Sequence, residues 1–315
     1  MARMFVEVEI PAEAALCREM LEGIPDRPAV FLLWAREGKP YLARTNVLRR
    51  RLRKLLNPPG AVVRVEYRPT GSRLEAQFAL WERARECLGP EYARQIRLRF
   101  PFYVKLGLSN RFPRTRVTAQ LGRAGAGCVG PFRNRSTAAL FESEFLDLFQ
   151  LRRCQDDLAP SPDHPGCMYG EMGRCLRPCQ QVVGDAEYQS EVKRVAAFLE
   201  TGGLSLTETT SAARERLSAE MDFEGAAMMH QRLQRITEVV GLRDEMARDV
   251  NHLHAITITP SAQPEAVDLG FMRHGYWQGM TPLEFGLMAT PLDARLRAAA
   301  ASAGERSAAP RERME

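Results

Sequence analysis

The chain has 315 residues, 45% hydrophobic and 26% charged, with 44 Lys and Arg against 39 Asp and Glu for a net charge of +5. This composition is too apolar for a disordered chain, and the length allows about two or three hydrophobic cores. The start MARMFVEVEI lacks an apolar leader, and no uncharged apolar run reaches about 18 residues, so a cytoplasmic protein with no membrane contact is expected.

Residues 1–22 read as an N-terminal extension. Beyond them Ala29–Ala35 reads as a strand, residues 40–45 (PYLART) as a second, and Arg44–Leu56 as a basic helix closed by Asn-Pro-Pro-Gly. Ala61–Tyr67 is a third predicted strand. Ser72–Cys87 is a predicted helix with Leu74, Phe78, Trp81 and Arg85 on one side. This order over residues 23–100 predicts a small α/β domain with a short sheet. Strands are expected again at Phe102–Leu108 and Arg114–Leu121, a glycine-rich loop at residues 122–132, and a helix at Asn134–Arg153. That loop lacks the G-x-x-x-x-G-K-[ST] pattern of a phosphate cradle. Residues 101–184 read as one basic, cysteine-rich region, and 185–250 as helical with a break at Thr201-Gly202-Gly203. Strands return in 251–292, and 293–315, rich in Ala, Arg, Glu and Ser, are expected to be a disordered tail. The fold class is α/β or, with helices and strands segregated, α+β.

Basic residues are concentrated in two runs. Arg44–Lys54 holds six in eleven positions with no acid, and Arg94–Arg116 mixes seven with Phe100, Phe102, Tyr103 and Phe112. Cations neutralise phosphates and aromatic faces stack on bases, which makes Arg44, Arg49, Arg50, Arg53 and Lys54 candidate DNA contacts. A solvated helix face followed by an amphipathic strand pair accounts for the same pattern.

Four of the seven cysteines, Cys154, Cys167, Cys175 and Cys179, fall within twenty-six residues, with intervals of twelve, seven and three. In a reducing compartment such clustering points to metal rather than disulfides. Only the last interval suits a zinc knuckle, while four thiolates also suit an iron–sulfur cluster, so spacing leaves zinc, cluster and reduced half-buried thiols open. His164 is expected to be an exposed loop residue.

The runs GPFRNRSTAALFESEFLDLFQLRRC (130–154), CMYGEMGRCLRPCQ (167–180) and YQSEVKRVAAFL (188–199) resemble the central region of the UvrC subunit of the bacterial UvrABC excinuclease. The resemblance implies a four-iron four-sulfur (4Fe-4S) cluster on Cys154, Cys167, Cys175 and Cys179, with zinc as the fallback. Ser218–Val239 resembles the UVR motif, a helical hairpin at about residues 205–240 that meets its counterpart on UvrB. Phe223, Ala226, Ala227, Leu233 and Ile236 form the candidate UvrB-binding seam, with Asp222 and Glu224 near the turn.

The stretch IPDRPAVFLLWAREGKPYLARTNVLRRRL resembles the opening of the GIY-YIG nuclease domain with which UvrC proteins begin. Ala29 and Phe31 replace the glycine and tyrosine of the first motif, and the second reads Tyr41-Leu42-Ala43. The family lysine corresponds to Arg44 and its helix arginine to Arg51. The metal-ligating glutamate falls on Leu80, and the asparagine on Ala93. Leucine cannot ligate magnesium, and Glu82, two positions along a helix, is turned by about 200° from Leu80. Tyr41 and Arg51 are therefore residual catalytic positions of a degenerate site, with magnesium required only if the nuclease is active. Residues 251–292 resemble the approach to the second, RNase H-like nuclease domain, before which the chain is expected to be truncated. His252, His254 and Asp268 there are expected to face solvent.

The expected function is that of a nucleotide-excision-repair protein that binds DNA and docks on UvrB without cutting. Two alternatives stand: an active short UvrC-like endonuclease making a single incision near a lesion, and an iron–sulfur DNA-binding redox sensor.

Overall fold

The computed structural model describes residues 5–57, 60–97, 99–121, 127–155, 158–285, 293, 294, 296–298 and 301. In chain order the elements are β1 (Val6–Glu9), α1 (Ala14–Glu22), β2 (Ala29–Ala35), β3 (Tyr41–Thr45), α2 (Leu48–Leu55), β4 (Val62–Pro69), α3 (Arg73–Leu88) and α4 (Tyr92–Gln95). There follow β5 (Phe102–Leu106), β6 (Thr115–Thr118), β7 (Cys128–Phe132), α5 (Arg135–Leu146), α6 (Met168–Glu171) and α7 (Asp185–Thr201). The remainder is α8 (Leu204–Ala219), α9 (Phe223–Gly241), β8 (Arg248–Asp249), β9 (Ala255–Pro260), β10 (Ala266–Arg273) and β11 (Tyr276–Glu284). These elements make an α+β protein, and the described residues divide into two compact units. One takes residues up to Arg99, Ala255–Met272 and those from Trp277; the other takes Phe100–His254 and Arg273–Tyr276.

The first unit is built on an antiparallel sheet in the order β1-β4-β2-β3. β1 lies in the stretch read as an extension; its alternating Val6 and Val8 pair with β4, which makes it an edge strand. Strand β2 is buried along Ala29–Leu33, so both its faces must be covered. Phe31 and Leu33 pack with Leu48 and Leu52 of α2 and Leu21 of α1. Val30 packs on the opposite side with Ala76, Ala79 and Leu80 of α3. The buried face of α3 thus runs through Glu75, Ala76, Ala79, Leu80 and Ala84, turned from the predicted line of Leu74, Phe78, Trp81 and Arg85, of which only Phe78 is buried. Small alanines let the helix approach the sheet, and the aromatic periodicity in the sequence concealed them. Ser72 caps α3 by accepting from the Glu75 N–H at 3.0 Å, and the Glu75 carboxylate accepts from the Gly71 N–H at 2.7 Å. This reciprocal capping box places Glu75 at the helix start, almost fully buried. Strands β9, β10 and β11 form a second antiparallel sheet in the order β11-β10-β9. Asp268 on β10 is 2% exposed, which corrects the expectation that it faces solvent, whereas His252 and His254 are exposed.

The second unit pairs a sheet in the order β6-β5-β7-β8 with helices α5 and α7–α9. Residues Cys128–Phe132, read as part of a loop, form its strand β7, while 122–126 lie outside the described residues. Its core gathers Phe132, Phe141, Phe145, Tyr188, Phe198 and Ile236. The Phe145 and Phe198 rings stack at 5.8 Å, which joins α5 to α7. Gly202 (φ 65°) ends α7, and Gly203 (φ 97°) starts α8 where a side chain would meet Val240, so the Gly-Gly pair makes a turn closed to other residues. Of the predicted tail, residues 293, 294, 296–298 and 301 are helical and the rest lies outside the described residues. No helix among the described residues is long and apolar enough to cross a membrane.

Candidate functional site

The cysteine segment is held by the residues that enter it. Helix α5, capped by Asn134 accepting from the Thr137 N–H at 2.8 Å, ends at Leu146, short of the predicted Arg153. The chain beyond it is pinned to α7: the Gln150 N–H donates to Glu191 at 2.6 Å, and the Arg152 N–H to the Tyr188 hydroxyl at 3.2 Å. Tyr188 in turn donates to the Pro113 carbonyl at 2.8 Å, and Arg152 Nε donates to the Phe112 carbonyl at 2.8 Å. Both side chains are almost completely buried, which makes each of these bonds costly to leave unmade. The Leu176 N–H donates to the Gln150 carbonyl at 3.0 Å, bringing Cys175 beside the run that leads to Cys154. The Ser161 N–H donates to the Cys179 carbonyl at 2.9 Å, and Gln180 Nε2 to the His164 carbonyl at 3.1 Å, closing the loop. His164 is half-buried rather than exposed, its Nδ1 accepting from the Gly166 N–H at 3.0 Å.

None of the seven cysteines is in a disulfide, and of the four clustered ones Cys175 and Cys179 are buried and Cys154 and Cys167 half-buried. Burial pushes the Cys175 thiol up to about 11; the Arg177 N–H, 3.4 Å from its sulfur, pulls the other way, and Cys154, Cys167 and Cys179 add to the rise. Cys179 is raised as well, by burial and then by Cys154 and Cys167. The four sulfurs therefore lie within electrostatic reach of one another. An Arg152 guanidinium nitrogen stands 3.6 Å from the Cys154 sulfur. Among the described residues, no three His, Cys, Asp or Glu side chains are grouped closely enough to hold a single metal ion.

The residual catalytic positions expected from the sequence lie in the first unit. Strand pairing of Leu33 with Tyr41 puts Tyr41 on the α2 side of the sheet, 49% exposed, its ring 6.2 Å from that of Phe31. Arg51 is exposed on α2. Leu80 lies across the sheet from them, buried with Val30 and Ala76, so the structure does not gather positions 41, 51 and 80 on one face. Glu82 is exposed and 3.5 Å from Arg68. The buried acids are committed: Glu66 pairs with Arg83 and, at 3.1 Å, with Arg64, and Glu75 caps α3 with Arg68 at 3.7 Å. Sequence reading missed this buried ion-pair network. Only Glu75 had a readable signal, the Ser-x-x-Glu box.

The predicted DNA contacts divide. Arg44, Arg50 and Lys54 are exposed, and Arg44 lines a cleft of about 600 Å³ with Thr45, Asn46, Thr70, Ser72 and Arg73. Arg49 Nε donates to the Ile24 carbonyl at 2.7 Å, and Arg53 lies 2.8 Å from Glu22. Arg49, half-buried on that carbonyl, ties α2 to the end of α1, which corrects its reading as a phosphate contact, while Arg53 stays exposed in a surface pair.

Helices α8 and α9 form the predicted hairpin. Met221 (φ 60°) makes the turn, and Asp222 caps α9 by accepting from the Gly225 N–H at 2.9 Å. Phe223 and Ala227 are exposed, and Ala226 and Leu233 are half-buried. Ile236, however, is 0% exposed in the core of its unit and is unavailable to a partner, which corrects the five-residue seam. The i+3 spacing that linked it to Leu233 continues the stripe into the protein's own core. Instead, Met221, Phe223 and Met228 leave apolar surface exposed at the hairpin tip.

Residues 102–198 match the UvrC/Cho excinuclease middle domain. The UvrABC system protein C of Symbiobacterium thermophilum is 29% identical over 276 residues, 82% of this chain and 42% of that protein. The corresponding protein of Dehalococcoides mccartyi is 24% identical over 277 residues, 82% of this chain and 44% of its own length. That of Alcanivorax borkumensis is 28% identical over 228 residues, covering 68% and 37%. The chain thus spans less than half the length of these relatives. No solved structure matches it. The chain is thus similar to UvrC proteins over most of its length, with residues 102–198 matching the UvrC/Cho excinuclease middle domain.

Proposed function

We propose that this protein acts in nucleotide excision repair by binding DNA and docking on UvrB, without cutting DNA itself. The observation that carries the second half is the surroundings of Leu80. The position at which the nuclease family supplies its metal-ligating carboxylate is an apolar contact of α3 with the sheet, and the neighbouring buried acids are held by arginines or by a helix cap. Exposed Arg44, Arg50, Arg51 and Lys54 would make phosphate contacts, and the hairpin tip around Phe223 and Met228 would meet UvrB.

The donor set fits an iron–sulfur cluster. It is all thiol and partly buried, with N–H groups of the chain aimed at sulfur. Four thiols with no other ligand type among them suit a cluster, which distributes its thiolates over several irons. Cys154, Cys167, Cys175 and Cys179 would hold it, with zinc as the lesser fit. When bound, such a group supplies cross-linking of the segment and one-electron chemistry. Arg152, Tyr188 and Glu191 position the segment that presents the first thiolate.

The deciding experiment is an incision assay with anaerobically purified protein, magnesium or manganese, and an end-labelled lesion-bearing duplex preloaded with UvrA and UvrB. Retained binding without a cut is the expected result. A discrete cut abolished by Arg51→Ala would establish instead the short single-incision nuclease, a reading favoured by the exposure of Tyr41 and Arg51. Binding to DNA that ignores UvrB would favour the redox sensor.

A further inference from the structure

The second unit carries a cleft of about 480 Å³ between β6, α5 and the cysteine segment, and nothing in the proposed function uses it. Its lining holds four guanidinium groups, Arg114, Arg116, Arg135 and Arg153, against one carboxyl, Glu142. Arg116 and Arg135 are exposed, on β6 and at the start of α5, so they reach solvent from two different walls. The other two are half-buried and held in place. Arg114 donates to the Gln155 carbonyl at 3.2 Å, and Arg153 lies 2.6 Å from Asp147 with its guanidinium 5.0 Å over the Tyr169 ring.

Such a lining selects its ligand by charge. Arginine cannot ligate a metal, and its planar fork matches phosphate. Glu142 opposes an anion, but burial raises its carboxyl above the ordinary value, while the Thr115 hydroxyl and Arg114, Arg135 and Arg153 act to lower it. Even with Arg153 paired to Asp147, Arg114, Arg116 and Arg135 still outnumber Glu142, so the cleft stays positive whichever form Glu142 takes. With cations contributed from three separate segments rather than converging from one turn, the site suits an extended polyanion better than a single small ion.

We propose that this cleft is a DNA backbone groove in which Arg116 and Arg135 at the rim neutralise phosphodiesters, while Arg114 and Arg153, held by the Gln155 carbonyl and Asp147, form its wall. The inference rests on the reading of the chain as a DNA-handling protein and adds to it a specific surface in the middle domain. It also links that surface to the cysteines. Arg153 directly precedes Cys154, Gln155 follows it, and Tyr169 lies two residues after Cys167, so one wall of the groove exists only when the cysteine segment is folded.

The test is fluorescence anisotropy of a labelled DNA duplex titrated with the intact protein across a salt series. Wild type is compared with the double variants Arg116→Ala/Arg135→Ala, Arg116→Lys/Arg135→Lys and Arg50→Ala/Lys54→Ala. The alanine pair in the groove is expected to bind roughly 10- to 60-fold more weakly at about 0.1 M salt, and its salt slope to fall by about two, the counterion release of two phosphates. The lysine pair keeps the charge and is expected to retain most of the affinity. Equal affinity and slope for wild type and the alanine pair would overturn the groove, while binding weakened by Arg50→Ala/Lys54→Ala would leave the DNA reading standing. A lysine pair as weak as the alanine pair would mean a packing role and would also overturn the groove. Absence of DNA binding by wild type would sink both the reading and the inference.

Discussion

Replacing Tyr188 by phenylalanine removes one oxygen and tests how the cysteine segment is held. The hydroxyl donates to the Pro113 carbonyl at 2.8 Å and accepts from the Arg152 N–H at 3.2 Å, in a site where the ring is 0% exposed. Phenylalanine keeps the ring packing, including the edge-on contact with Phe112 at 5.5 Å. The change therefore leaves a buried carbonyl and a buried N–H without this partner, at about 1–3 kcal/mol each. Against that stands the relief of no longer burying a phenol, so the net loss should be about 2–4 kcal/mol. With a urea dependence of about 1–3 kcal/mol per molar, the unfolding midpoint followed by far-ultraviolet circular dichroism should drop by about 1–2 M. Iron content after anaerobic purification should fall with it, because Arg152 leads into Cys154. A midpoint shift below about 0.3 M would refute the reasoning, since the cost of two unpaired buried groups could not be so small.

Leu80→Glu should not restore magnesium-dependent incision. A carboxylate placed against Val30, Ala76 and Ala79 should cost roughly 2–5 kcal/mol in a thermal or urea melt, and recovered cutting would show that the site lacked only its ligand. Phe223→Asp, at a position 69% exposed, should weaken capture by immobilised UvrB while changing stability by less than about 0.5 kcal/mol; Ile236→Ala, in the core, should cost about 2–5 kcal/mol. Glu142→Gln should tighten DNA binding by about 3- to 10-fold, as expected for removing a charge worth about 1 kcal/mol in a solvated groove. Its pH signature has a definite sign. The folded chain holds the Glu142 proton more tightly than the unfolded chain, so its stabilising contribution is complete below the ordinary value of 4.5 and disappears as pH rises through the folded value. Wild type should therefore lose stability relative to Glu142→Gln on going from acid to neutral pH, and parallel melts across that range would expose a contrary trend.

Legibility followed the range over which each feature is determined. Strand β2 runs from Ala29 to Ala35 as its apolar run foretold, and the helix break at Gly202-Gly203 was readable from turn chemistry, because those signals are local. The capping box at Ser72 and Glu75 is equally local, yet its carboxylate looks like any surface acid until the burial of the helix start is known. Edge strand β1 could not be found in the same way, since four residues become a strand only when β4 offers a partner. The division of the basic run was also decided outside it: Arg49 is occupied because the Ile24 carbonyl lies opposite it. The apolar stripe of α9 does not announce where self-packing ends, and only the core around Phe145 and Phe198 claims Ile236 while leaving Phe223 at the tip. By itself, then, the sequence determined the local elements, the family resemblance and the set of four thiols, all carried by spacing along the chain. Tertiary structure alone decided which charges are spent on other residues, as Arg153 is on Asp147, and which remain for a ligand, as Arg116 of β6 and Arg135 of α5 do in lining one cleft, because burial and pairing depend on atoms distant in sequence.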